Sequence, residues 1–135
     1  VPDPDTTFDR PKLDKLKAYM DREKPYLNSK LSIKMLANQT DMPVSELSRL
    51  INTGMKKNFF DFVNAYRVEE FKRQIFDRKN KDYTMTAIAF QSGFNSRSSF
   101  YDIFKKQCGM TPGEYKHIQQ SKNGGRTRED CDKAI

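Results

Sequence analysis

Apolar positions along this chain recur at helical spacing, and nowhere at the two-residue period of a strand. Over residues 11–24, Leu13, Leu16, Ala18, Tyr19 and Met20 return every few residues and predict a first helix. Pro11 fits its first turn, where a missing N–H costs nothing, and Pro25 stops it. Residues 26–30, beginning with Tyr26, read as a connecting loop. A short helix over 32–39 turns Ile33, Leu36 and Ala37 inward. A turn over 40–43 leads to a helix over 44–51, with Val44, Leu47, Leu50 and Ile51 on one side. Asn52-Thr53-Gly54 ends it, glycine being the usual helix stop.

The longest apolar pattern runs from Phe59 to Phe76, with Phe59, Phe62, Val63, Tyr66, Phe71 and Ile75 as its main face. Asn58 offers an N-cap, and Asp61 suits the helix dipole. At 1.5 Å per residue this helix is roughly 27–30 Å long. A polar loop over 78–82 follows. Residues 84–92 and 96–107 then form two short helices around Gly93. Thr111-Pro112-Gly113-Glu114 is a capping box with Pro at the first helical position, and it opens a last helix that fades near Gln120. Disorder is expected from Ser121 onward, where the chain is polar and charged.

Two stretches repeat. Residues 33–39 align with 85–91, so that Ala37 falls on Ala89 and Leu36 on Ile88. Met42 matches Phe94. With one extra residue in the second turn, residues 47–51 lie over 100–104, and Gly54-Met55 echoes Gly109-Met110. Repetition on this scale marks a supersecondary unit. The physics of a helix-turn-helix explains it. Helices that cross closely need a small residue, here Ala37 or Ala89. The turn needs a residue that tolerates left-handed backbone, which Gly93 does freely and Asp41 less comfortably. The second helix must be polar on its outer side, where it meets base edges.

The prediction is therefore an all-α fold of about seven helices: two helix-turn-helix subdomains joined by a long linker helix. A linker over 1–10 precedes a domain over 11–120, built from a first helix-turn-helix (31–52), the linker helix (58–78), a second helix-turn-helix (84–107) and a final helix (111–120). The tail covers 121–135. Recognition helices on one side of B-DNA want centres about 34 Å apart, a separation that suits the linker helix plus the widths of the units.

Composition supports this picture without deciding it. The chain has 135 residues, enough for one domain, and a net charge of +7 that suits a polyanionic partner. Its two cysteines, Cys108 and Cys131, form no disulfide framework or metal-ligand spacing. Cys108 reads as a half-buried reduced thiol, and a reducing cytoplasm fits both. No apolar run approaches the roughly 20 residues of a membrane span, and there is no signal peptide. The chain starts without an initiator methionine. It reads as a fragment of a longer protein whose sensing region has been removed.

The second unit carries A-x-x-x-G-F, then S-S-F and F-K-K, then G-M-T-P-x-E-Y. This resembles the signature of the AraC/XylS transcription regulators. Residues 57–70, KNFFDFVNAYRVEE, resemble their linker helix. The resemblance covers roughly residues 13–119 and is specific in the second unit. It is greatest to members from Bacteroidetes-type bacteria, where a sensing or membrane region often precedes the domain. It implies a sequence-specific, bacterial DNA-binding module acting on double-stranded DNA in the cytoplasm, with the parent protein a candidate for membrane tethering. RNA polymerase is a further candidate partner, and the fragment itself is expected to be a monomer.

By that resemblance the first recognition helix presents Ser45, Ser48 and Arg49 to bases, and the second presents Arg97, Ser98, Tyr101 and Asp102. Arginine suits a bidentate contact to guanine, and Arg97 is the first choice over a solvated surface role. Arg49 has three readings: a base contact, a phosphate contact, or a pair with Glu46. Asp102 stands where the family often has a basic residue. It would accept from cytosine N4, orient Arg97 or Lys105, or weaken binding there. Lys56, Lys57, Lys105 and Lys106 touch phosphates or solubilise the surface. Backbone N–H groups at the helix starts near Asn95, Ser96 and Asn58 suit phosphate. Phe62, Phe71, Phe94, Phe100 and Phe104 read as core, and His117 has no obvious partner for catalysis or metal binding.

Two other classes compete. A helical protein-interaction module would need an exposed apolar patch. An enzyme would need a phosphate-binding glycine loop, a metal cluster or a nucleophile–base pair, none of which the sequence offers. No cofactor is expected.

Overall fold

The computed structural model describes residues 10–121. Apart from Ser121, which closes the last helix instead of opening a disordered tail, the expected tail lies outside them, as do Cys131 and all but the last residue of the N-terminal linker. Among the described residues there are seven α-helices and no strand. The chain divides into two compact units, one ending at Tyr66 and one beginning at Arg67.

In the first unit, α1 (Arg10–Glu23) buries Leu13, Leu16 and Met20 as a single stripe. Ala18, one of the recurring apolar residues, is exposed, because two residues carry it about 200° around the helix from Leu16. The chain leaves α1 through Lys24 in left-handed backbone, φ 50°. Residues Pro25–Leu27 then make a 3-10 turn rather than an open loop. That turn drives Tyr26 into the core, 1% exposed, where its ring stacks on Tyr66 at 5.5 Å. Burial, with help from Asp21 and Tyr26, pushes the Tyr66 phenol up to about 12.

Next come α2 (Ile33–Thr40) and α3 (Val44–Met55), packed on each other, with α1 against α3. Leu36, Leu47 and Ile51 are fully enclosed, each such burial worth about 1.5–3 kcal/mol. The Tyr19 hydroxyl donates to Gln39 at 2.7 Å and ties α1 to α2. Two expectations fail in α3. Gly54 does not end it; the helix runs on to Met55, which packs on the core, and Lys56 makes the left-handed exit at φ 57°. Val44 does not face inward but is 40% exposed. It is the first residue of α3, and nothing extends far enough to cover it.

The helix α4 (Phe59–Gln74) gives Phe62 and Val63 to the first core, and Val68 and Phe71 to the second. Asn58 caps it as expected, its side-chain oxygen accepting from the Asp61 N–H at 2.7 Å. It ends earlier than the apolar pattern suggests, so it is about 24 Å long. Asn80 supplies the reason. This residue of the expected polar loop is buried, and its amide donates to the Gln74 carbonyl at 3.0 Å, satisfying a helix end. Burial lowers the Arg67 guanidinium to about 10.

In the second unit, α5 (Met85–Gln91), α6 (Arg97–Cys108) and α7 (Pro112–Ser121) enclose an aromatic core. Phe71 lies 4.6 Å from Phe100 and 5.5 Å from Phe104, ring centre to ring centre; Tyr115 is 5.6 Å from Phe104. Lys72 is buried beside Tyr115, bonded to Glu69 at 3.0 Å. The capping box of α7 closes both ways. The Glu114 N–H donates to the Thr111 hydroxyl at 3.1 Å, and the Thr111 N–H donates to the Glu114 carboxylate at 2.9 Å. Cys108, the last residue of α6, is fully rather than half buried.

Candidate nucleic-acid interface

The α2–turn–α3 and α5–turn–α6 pairs are built alike, bond for bond. Ser32 and Thr84 cap their helices by accepting from Met35 and Ala87 N–H, at 3.2 and 3.0 Å. At the other end, the Thr40 and Ser92 hydroxyls donate to the Leu36 and Ile88 carbonyls, at 2.8 and 2.9 Å. The chain then reverses through Asp41 (φ 60°) and Gly93 (φ 109°). Just past the reversal, the Met42 and Phe94 N–H groups donate to the carbonyls of Ala37 and Ala89, at 3.0 and 3.1 Å. Both alanines are buried. The turn residues proposed from the sequence are thus the ones in left-handed backbone.

The second helix of each pair begins after a different residue. Pro43 precedes α3 and has no side chain to cap with; Ser96 precedes α6 and accepts from the Ser99 N–H at 3.1 Å. Ser96 was expected inside α6, but it stands before it, and α6 begins at Arg97. The Ser96 oxygen is thus turned toward the Ser99 N–H.

On α6, Phe100, Phe104 and Cys108 face the core. Arg97, Ser98, Asp102, Lys105 and Lys106 are exposed, as is Asn95 just before the helix. The Arg97 guanidinium sits over the Tyr101 ring, 5.7 Å from its centre. Tyr101 is half-buried and its ring stands edge-on to Phe100 at 5.8 Å, so the arginine rests on a fixed platform. Asp102 orients neither Arg97 nor Lys105: among the described residues it makes no ion pair.

On α3, Leu47, Leu50 and Ile51 face the core. Ser45 and Arg49 are exposed, and Ser48 is half-buried, accepting from Asn52 at 3.4 Å. The suggested Arg49–Glu46 pair does not form. Glu46 is held instead by Lys12 of α1, which leaves Arg49 without an ion pair among the described residues. Lys56 is exposed and Lys57 half-buried between α3 and α4. The side chain of Asn58 is committed to its cap. The five phenylalanines assigned to the core are all buried, and His117 is exposed on α7.

Position-by-position equivalence exposes what the sequence reading missed. Val44 occupies the place of Arg97, Ser45 that of Ser98, Ser48 that of Tyr101, Arg49 that of Asp102, and Asn52 that of Lys105. Val44 and Asn52 are exposed, whereas the sequence places the first on the apolar side and the second at the helix end. The repeat alignment itself carried the signal, had it been extended back to the helix start. Among the described residues no group of acidic, histidine or cysteine side chains could hold a metal ion, and no helix is long and apolar enough to cross a membrane.

A family model for the helix-turn-helix domain matches residues 36–118. An uncharacterized HTH-type transcriptional regulator of Staphylococcus aureus (strain COL) is 31% identical over 103 residues, covering 76% of this chain and 13% of that protein. The melibiose operon regulatory protein of Escherichia coli (strain K12) is 25% identical over 92 residues, covering 68% of this chain and 30% of that protein. A solved structure of a protein of unknown function from Listeria innocua superposes with a TM-score of 0.64 at 30% identity, covering 78% of this chain and 95% of that one. The chain thus spans about an eighth of the length of the staphylococcal regulators it matches. With its twofold helix-turn-helix, it belongs to the AraC-type helix-turn-helix family and is a DNA-binding module of a bacterial transcription regulator.

Proposed function

We propose that α3 and α6 each enter a major-groove segment of one duplex, so that a single copy of the chain reads two half-sites about one helical turn apart. The reading is carried chiefly by the matched construction of the two pairs, each of which leaves one polar helix face uncovered. In this reading Ser45, Ser48 and Arg49, and Arg97, Ser98, Tyr101 and Asp102, meet base edges. Arg97 takes guanine as a bidentate donor. Lys56, Lys57, Lys105, Lys106 and the N–H groups near Asn58, Asn95 and Ser96 hold phosphates and set the register.

Residues 11–120 form the working unit, which acts by binding and not by catalysis. The full regulator works in the cytoplasm, couples this module to a sensing or membrane region, and engages RNA polymerase. Selection of bound duplexes from a random DNA pool tests the reading. Enrichment of two short motifs with centres roughly 10 base pairs apart supports it. Recovery of unenriched DNA would replace it with a helical module that binds another kind of acidic partner.

A further inference from the structure

The equivalence of Val44 and Arg97 carries a consequence for base recognition in the first unit. Both are the first residue of the second helix of their pair. Both follow a turn fixed by the same bonds: a hydroxyl on the helix's own carbonyl, a left-handed residue, and an N–H returned to the buried alanine. Both are exposed. The early residues of a recognition helix are the ones that meet base edges. At this position the second unit offers a guanidinium on an aromatic platform, and the first offers two methyl groups.

We infer that Val44 is a base-reading residue of the first unit and that its target is the C5-methyl group of a thymine. This rests on the DNA-binding reading above. The chemistry of the side chain excludes the alternatives. Valine neither donates nor accepts, so the hydrogen-bonding edges of guanine, adenine and cytosine offer it nothing. The thymine methyl is the apolar feature of the major groove, and contact with it removes both surfaces from water. Valine also suits the task because its branched side chain is stiff at χ1, so little freedom is lost on contact. Pro43 before it fixes the approach of the chain, at φ −64°.

The two half-sites then differ chemically. From the helix start inward, the first unit presents Val44 and later Arg49, and the second presents Arg97 and later Asp102. A thymine and a guanine in the first half-site correspond to a guanine and a cytosine in the second. The chain therefore binds in one orientation only, without help from a second copy.

The experiment uses the 135-residue chain and a duplex selected by it, with each thymine of the first half-site replaced in turn by deoxyuridine, which lacks only the methyl. One replacement is expected to weaken binding about fourfold, the worth of one buried methyl. The Val44→Ala chain binds the thymine duplex more weakly and loses this sensitivity. Val44 is exposed, so the variant folds, and replacement in the second half-site serves as the control. If no replacement weakens the natural chain, or if Val44→Ala stays equally sensitive, the inference is overturned. Failure of the natural chain to select any sequence is a separate result, and it overturns the DNA-binding reading as well.

Discussion

The guanidinium of Arg97 lies over the ring of Tyr101, one turn further along α6 and 5.7 Å from the ring centre. The ring is itself held edge-on by Phe100, so a core residue fixes the direction of a surface arginine. Removing Arg97 is expected to cost about 1–3 kcal/mol of binding and to relax base preference at one position. Tyr101→Ala removes the platform without deleting the arginine and is expected to cost about 0.5–1 kcal/mol through the lost contact, on top of its own base contact. Equilibrium binding to a selected duplex and to its single-base variants measures both. An unchanged preference in Arg97→Ala would remove this residue from base reading.

Phosphate contacts should behave differently. Lys105→Ala and Lys56→Ala are expected to weaken binding alike on all sequences. Each is expected to flatten the dependence of log K on log salt by about 1. Binding measured from low to moderate salt on specific and random duplexes separates the two kinds of residue. A lysine variant whose loss depends on the sequence would be a base reader instead.

The turn of the second pair depends on Gly93, whose φ of 109° lies far from the ordinary range of L-residues. Gly93→Ala is expected to destabilise the fold by about 1–3 kcal/mol, the usual cost of such backbone. Asp41, at φ 60°, sits in the milder left-handed region that aspartate tolerates, so Asp41→Gly is expected to change stability by less than about 1 kcal/mol. Urea unfolding of both variants checks the contrast.

Alkaline pH probes the first core. The Tyr66 phenol is raised from 10.0 to about 12, chiefly by burial, so the folded chain holds this proton more tightly than the unfolded one. Its contribution is fully present below pH 10 and is lost as pH climbs through about 12. Arg67 runs the other way. Burial lowers it from 12.5 to about 10, so its folded form releases the proton first and its contribution rises over the same window. The stability difference between the natural chain and Tyr66→Phe should therefore shrink from pH 9.5 towards pH 12. A constant difference in urea unfolding would contradict the burial of Tyr66.

Local chemistry made much of this fold legible. Asn58, Thr111 and Glu114 bond as their spacing required, because a cap is decided within four residues. Gly93 and Asp41 take left-handed backbone for the same reason. Apart from helix ends displaced by a residue or two, at Gly54 and Ser96, the failures involve partners distant in sequence or the reach of a neighbouring helix. Tyr26 looked like loop because its core partner, Tyr66, is far along the chain. Glu46 could not be assigned to Lys12 from helical spacing, which offers only Arg49. The inward reading of Val44 followed from periodicity, which defines a helix face but not how far its cover extends. Exposure of Ser45, Arg49, Arg97, Ser98 and Asp102 followed from the family resemblance, and all five are exposed. Their pairing, or lack of it, did not follow from it.

The central claim is that both recognition helices read one duplex, and hydroxyl-radical footprinting of a selected site by the full chain tests it most directly. The account predicts two protected tracts on the same face of the duplex, centred roughly 10 base pairs apart. In Arg97→Ala only the tract of the second half-site should weaken. A single tract, or uniform protection that ignores the selected sequence, would contradict it.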